Sequence, residues 1–271
     1  MKIAFLFLIY DEIAHEELWV KFFEGIDPSL YNIYIHYKTN KKLKHLEQYK
    51  LKSTSETKFG DISLIHANNL MLQEALKDKD NKKFINVSQS CIPLKNFKYV
   101  YEFLTRDDNA HFFRAAKRHK CFPRCNDLLE YIPRHKIDKS NQWFILNRTI
   151  AERASAPNSF YLNHLYKDIF APEEHYYITL VNELGLQDYT HYTETHMDQA
   201  TTFVNWNTPG LKYKYKSSEP TKEHPKEYTE IKEEELLHLL NSPCLFGRKF
   251  SKDCFIIDKE EFLDDYLIDK I

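Results

Sequence analysis

Two short clusters carry the chemistry that this chain could perform. Pro172-Glu173-Glu174-His175 sets two adjacent carboxylates at what reads as a helix start, since proline suits the first helical position and the helix dipole favours acidic side chains there. One of them could act as a general base toward a hydroxyl, and the same residues are also accounted for as a helix start with no chemistry. A helix N-terminus favours the ionised carboxylate, so a base at that place needs burial to oppose the dipole. The second cluster, Arg248-Lys249, is flanked by Leu245-Phe246 and Phe250. It fits cations held at the edge of a core, where they could receive an anionic leaving group; the bland alternative is a surface pair. Asp78-Lys79-Asp80 has the spacing of a carboxylate metal site, but it falls in the charged break Lys77 to Lys83 and reads as a solvated turn. His175 reads as a core histidine.

These clusters need elements to position them. Ile3 to Ile9 is a continuous apolar run, the pattern of a strand covered on both faces, and Glu16 to Glu24 is an amphipathic helix carrying Leu18, Phe22 and Phe23. Tyr31 to His36 is a second strand. Strand, helix, strand predicts a parallel βαβ unit whose ligand edge lies at the strands' carboxyl ends, here Tyr10-Asp11 and His36-Tyr37. Ile62, Ile65, Leu72 and Leu76 recur at helical spacing, and Asp61 ahead of them is either a cap or a ligand contact. Phe84, Ile85 and Val87 form a short buried strand, closed by the turn Ser88-Gln89-Ser90-Cys91-Ile92-Pro93-Leu94. Asn96 to Leu104 reads as a helix, His111 to Ala115 as extended, and Gln142 to Arg148 as an apolar segment leading into another helix. Lys38 to Lys58 reads as a surface excursion, and Asn207 to Lys226 as a functional flap or a flexible insertion.

The chain has 271 residues, enough to bury a core without metals or disulfides. A formal net charge of −2 leaves no overall positive field to capture a polyanion, which sets nucleic acid aside as a partner. The basic run Arg114 to Arg124 is either a solvated face or a ligand-facing wall. Five cysteines, an odd and small number, suit a reducing compartment. Cys121, Cys125 and His119 raise zinc, yet no second pair at ligand spacing completes four ligands. The apolar opening is too short to span a bilayer. Asn86-Val-Ser88 and Asn147-Arg-Thr149 match the glycosylation sequon, but both overlap strand-like runs and are coincidental.

The stretch from Phe59-Gly60 to Leu94 resembles the W-G-x-x-S…S-x-x-C-I-P-L region of the core-2/I-branching glycosyltransferase family, in particular its plant-type members. Gln142-Trp-Phe-Ile-Leu-Asn-Arg148 resembles the family's Q-W-F-x-L-x-R. Phe170-Ala-Pro-Glu-Glu-His-Tyr-Tyr-Ile-Thr-Leu180 resembles its D-E-H-Y-x-x-T-x-L helix start. Thr202-Phe-Val-Asn-Trp206, His224-Pro-Lys-Glu-Tyr228 and Leu245-Phe-Gly-Arg-Lys-Phe250 match T-x-V-D-W, H-P-x-x-[YF] and L-F-A-R-K-F, with Asn205 where relatives commonly have Asp. The blocks follow in order along the chain.

The resemblance implies a single GT-A-like α/β domain, a mixed and mostly parallel sheet sandwiched by helices, with a nucleotide-sugar half over 1–110 and an acceptor and catalytic half over 111–271. It implies an inverting, metal-independent transfer from a UDP-sugar, xylose or N-acetylglucosamine ahead of glucuronate, to a glycan hydroxyl with a β linkage. Glu174 is then the base. Lys249 and Arg248, with Lys226 as a weaker carry-over, replace the metal at the diphosphate, and no cofactor is needed. Tyr10, Asp11, His36, Phe59, Asp61 and Ser90 would face the donor; Arg114, Lys117, Arg118, Glu173 and Trp206 would face the acceptor. Trp143 and Trp206 could stack on sugars, although core packing is the default for both. Because eukaryotic relatives are usually membrane-anchored, an unanchored copy points to a cytoplasmic enzyme of bacterial or viral origin with no membrane insertion. A glycan-binding protein that lost turnover, or a UDP-sugar hydrolase, are the rival functions on the same fold.

Overall fold

A computed structural model describes residues 1–114, 118–156, 165–193, 201–205 and 225–271. The chain begins with β1 (Lys2–Ile9), α1 (Glu16–Phe23), β2 (Tyr31–Tyr37), α2 (Ser63–Leu76) and β3 (Asn81–Ser88). It continues through β4 (Ile92–Pro93), α3 (Phe97–Thr105), β5 (Ala110–Phe113), a 3-10 stretch (Arg118–Glu130), β6 (Ile145–Asn147) and α4 (Arg148–Ser155). Then come α5 (Glu173–Glu183), β7 (Thr190–Thr193), β8 (Thr202–Val204), β9 (Tyr228–Ile231), α6 (Glu233–Asn241), β10 (Phe246–Arg248), β11 (Phe250–Ile256), β12 (Glu261–Phe262) and α7 (Leu263–Leu267).

The main sheet has six strands in the order β2-β1-β3-β6-β5-β7. Strands β2, β1 and β3 run parallel, β5 and β7 run parallel, and β6 lies antiparallel between β3 and β5. The period-two alternation of β1 explains why its apolar run is continuous. Ala4 and Leu6 enter the core under α2, α4 and α5, while Ile3, Phe5, Phe7 and Ile9 enter the core under α1 and α3. Helix α1 seals that second layer with Trp19, Phe22 and Phe23, whose rings meet Phe5 edge-on. The result is a mixed α/β sandwich with a mostly parallel sheet between helices, as the sequence predicts.

Two small sheets complete the chain. In one, β10 lies antiparallel to β4 and parallel to β8; in the other, β11 lies antiparallel to β12 and parallel to β9. A third apolar cluster, with Phe203, Tyr228 and Leu236, supports them. This arrangement fixes the site: β1, β2, β3 and β5 all end at one edge, and β6 begins there. The β2–α2 connection also lies at that edge, and so does the start of α5, because Ala171 N–H donates to Gly60 O at 2.9 Å. Both sequons are buried: Asn86 is interior, and Asn147 is the cap of α4, accepting the Ile150 N–H. No helix among the described residues is long and apolar enough to cross a membrane.

Candidate active site

The two carboxylates of α5 have opposite environments. Glu174 meets two cations on a single oxygen: its Oε2 lies 3.0 Å from Lys139 Nζ and 3.4 Å from Arg124 Nη1. Its Oε1 has no hydrogen-bond partner among the described residues. The main chain pins it as well, since Ser140 N–H donates to Glu174 O at 2.8 Å. Glu173 is 5% exposed, and its Oε2 has no partner among the described residues. Burial, with a smaller push from the Glu174 charge, raises its carboxyl to about 8. The burial expected of a helix-start base therefore falls on Glu173, while Glu174 keeps access to solvent. His175 is a core residue: its Nδ1–H donates to Asp138 O at 2.9 Å, and burial lowers its pKa to about 4.

Arg248 reaches the same edge from β10. Because β4 follows directly on the turn that ends β3, its pairing with β10 carries Arg248 onto that turn, where Nε donates to Ser88 Oγ at 3.2 Å. The guanidinium lies over the Trp143 ring at 4.1 Å, and burial lowers its pKa from the ordinary value. Trp143 is thus both packed in the core and the support of a cation. Lys249 is more exposed and lies 3.7 Å from Glu227 Oε2. Lys226 Nζ sits over the Tyr228 ring at 4.2 Å, and Tyr228 N–H donates to Lys249 O, so the three basic residues share one corner. The segment 138–143 links this corner to α5, with Lys139 on Glu174 and Trp143 on Arg248.

The residues expected at the donor divide into three kinds. Tyr10 is exposed at the end of β1 and takes Lys38 over its ring; Asp11 beside it lies 3.8 Å from Lys41 Nζ. Ser90 is buried in the β3 turn, its carbonyl accepting Phe250 N–H. His36 is fully buried and anchors the 38–58 excursion by accepting Ser55 N–H at 3.0 Å, and burial lowers its pKa to about 4. Asp61 acts in the helix start, where Oδ1 accepts Ser63 N–H at 2.9 Å. Phe59 is 71% exposed and packs edge-on against Phe170, with ring centroids 6.0 Å apart.

On the acceptor side, Arg114 is held by Asp138 at 2.8 Å and lies over Tyr192. Arg118 opens the 3-10 stretch. Lys117 and Trp206 lie outside the described residues, as does all but the end of the 207–226 stretch. Arg124, Lys139, Phe170 and the cation-supporting role of Trp143 were not singled out by sequence. Arg124 stands at the end of the basic run, but nothing local marks it, rather than its neighbours, as the partner of a carboxylate 50 residues away.

The Asp-x-Asp pair lies at the opposite edge. Asp78 accepts from Lys2 and from Asn32, each at 2.9 Å, and the Lys2 contact holds its carboxyl down at about 2. No group of three His, Cys, Asp or Glu among the described residues could hold a metal ion. Cys125 is buried.

Comparison with known proteins gives these residues a context. The chain is 28% identical over 160 residues to Glycosyltransferase BC10 of Oryza sativa subsp. japonica, an overlap of 56% of this chain and 39% of the rice protein. It is also similar to a solved glycosyltransferase involved in the glycosylation of the major capsid of PBCV-1, at 13% identity and a TM-score of 0.41, covering 72% of this chain and 84% of that one. The family model described as Core-2/I-Branching enzyme matches residues 3–240, and the chain belongs to that family of glycosyltransferases.

Proposed function

We propose that this chain is an inverting, metal-independent glycosyltransferase of the plant-type branch. It moves xylose or N-acetylglucosamine from UDP to a glycan hydroxyl with a β linkage. The observation that carries the reading is a carboxylate with one oxygen clamped by two cations and the other without a partner among the described residues, on the same sheet edge as a half-buried guanidinium. Glu174 Oε1 takes the proton of the acceptor hydroxyl as its oxygen attacks the anomeric carbon from the face opposite the diphosphate. The bond from that carbon to the phosphate oxygen breaks, and its electron pair leaves with UDP. Arg248, held by Ser88 and Trp143, and Lys249 then offset the charge that develops on the leaving oxygen. Lys226 adds charge at the same corner, and Tyr10, Asp11 and Ser90 border the donor.

The test is transfer by the full chain from UDP-xylose, UDP-N-acetylglucosamine or UDP-glucuronate to an array of glycan acceptors in excess EDTA. UDP release that depends on acceptor, with a β-linked product by NMR, is expected. UDP release that ignores the acceptor would make the protein a hydrolase, and turnover restored only by Mn²⁺ would overturn the metal-free mechanism.

A further inference from the structure

Phenylalanine is ordinarily buried, and singly exposed rings need no explanation. Phe59 and Phe170 are different: they come from distant segments, are 71% and 56% exposed, and pack against each other beside the α5 carboxylates. The backbone is shaped to hold them. Gly60 has φ +68, and a Cβ there would sit 2.4 Å from Phe170 Cε2; Ala171 takes φ 52, a left-handed conformation uncommon for a residue with a side chain. Their junction is closed by the Ala171 N–H to Gly60 O hydrogen bond at 2.9 Å. A left-handed residue that carries a side chain, such as Ala171, costs free energy, and such residues cluster at functional sites.

Polar groups meet the aromatic pair on one side. Arg124 contacts Phe170 twice, with Nη1 3.3 Å from its carbonyl and the guanidinium 5.6 Å from its ring, and the same Nη1 lies 3.4 Å from Glu174 Oε2. An apolar ring face bordered by a guanidinium and a carboxylate matches a pyranose, which has one C–H-rich face and a rim of hydroxyls. The geometry points to Phe59 and Phe170 as the stacking platform for the acceptor's sugar ring, setting the hydroxyl of that ring against Glu174. The inference rests on the glycosyltransferase reading for the identity of that hydroxyl. This moves Phe59 from the donor side, where the resemblance puts it, to the acceptor: a nucleobase is the less favoured occupant, because the base Glu174 must touch the acceptor, whereas Arg248 and the ends of β1 and β3 lie with the leaving group.

The experiment is saturation-transfer NMR on the full chain with methyl β-D-xylopyranoside, methyl β-D-glucopyranoside and methyl β-D-galactopyranoside, alongside calorimetry with UDP. At least one glycoside is expected to receive saturation on one ring face. Phe59→Ala and Phe170→Ala should each weaken it roughly two- to ten-fold, the range of one aromatic contact, while Phe59→Trp retains it and UDP affinity is unchanged in all three. Loss of UDP affinity in Phe59→Ala with glycoside binding intact would make the pair a nucleobase platform and overturn the proposal. So would glycoside binding that neither alanine variant alters, or no saturation of any glycoside by the parent chain. If glycosides bind through the pair while UDP does not bind at all, the UDP-sugar reading fails and the platform stands.

Discussion

The two edges of the central sheet are built from the same kinds of residue and use them differently. At the edge where β1 and β3 begin, the polar groups close on one another. Asp78 meets Lys2 and Asn32, Asn81 donates to Ala75 O and Tyr34 Oη, and Arg148 donates to the carbonyls of Leu76, Asp78 and Asn81. At the edge where they end, hydrogen-bonding capacity is left over: Glu173 Oε2, His36 Nδ1, Asn86 Oδ1 and Asn141 Nδ2 have no partner among the described residues. Buried polar groups in native proteins are nearly always satisfied, so the open capacity around Glu173 contrasts with the mutual pairing of Asp78, Lys2, Asn32, Asn81 and Arg148. The Asp-x-Asp pair belongs to the closed edge.

Substitutions on the two edges should therefore fail in different assays. The largest effect is expected for Glu174→Gln, which keeps size and removes the basic carboxylate: transfer should fall by roughly 10² to 10⁴ with UDP-sugar binding retained. If Glu174 only favours the helix start, the change costs about 0.3 to 1 kcal/mol of stability and leaves transfer nearly intact, so paired melting and transfer assays distinguish the two roles. Next come Arg248→Ala and Lys249→Ala, each expected to lower kcat on the order of 10² to 10³ and to weaken UDP binding. Unchanged kinetics in Lys249→Ala would leave it as a partner of Glu227 alone. At the closed edge the readout reverses: Arg148→Ala strands three carbonyls and should lose about 2 to 3 kcal/mol in denaturant titration, with the kcat of the folded fraction unaltered. A fall in kcat there would blur the distinction between the edges.

A separate expected effect is in the pH dependence of stability at Glu173. Its folded pKa, about 8, lies above its ordinary value of 4.5 because the site is buried. The unfolded chain gives up this proton first, so stability is fully present below about 4.5 and declines as pH rises toward 8. Glu173→Gln removes that term. The variant should gain in Tm relative to the parent at pH 8 and not at pH 5, and equal shifts at both pH values would contradict the buried, unpaired carboxyl. Its transfer rate should fall less than that of Glu174→Gln.

Most of the fold is legible in the sequence because its signals are local. The apolar runs at Ile3 to Ile9 and Phe84 to Val87 are strands, and Leu18, Phe22 and Phe23 lie on the buried face of α1. The carboxyl edge follows from strand order: Tyr10 follows the end of β1, His36-Tyr37 close β2, and Ser90 lies in the turn after β3, as the sequence predicts. What sequence left open were partnerships. Asp61 reads as either cap or ligand contact, and in the structure its Oδ1 accepts the Ser63 N–H at the start of α2. Trp143 was expected in the core, and its stacking under Arg248 depends on β4 meeting β10 across more than 150 residues. Lys139 and Arg124 come from a stretch with no periodicity, where charge alone does not reveal which cation turns inward.

The position of β6 has a consequence for how this chain can be handled. A strand from beyond residue 140 fills the space between β3 and β5, both encoded before residue 114. A fragment ending near residue 110 would present the flank of β3 as an open row of amides and carbonyls, a template for pairing with other chains. Expressed apart, the two lengths of chain should precipitate; expressed together, they should recover solubility by mutual complementation.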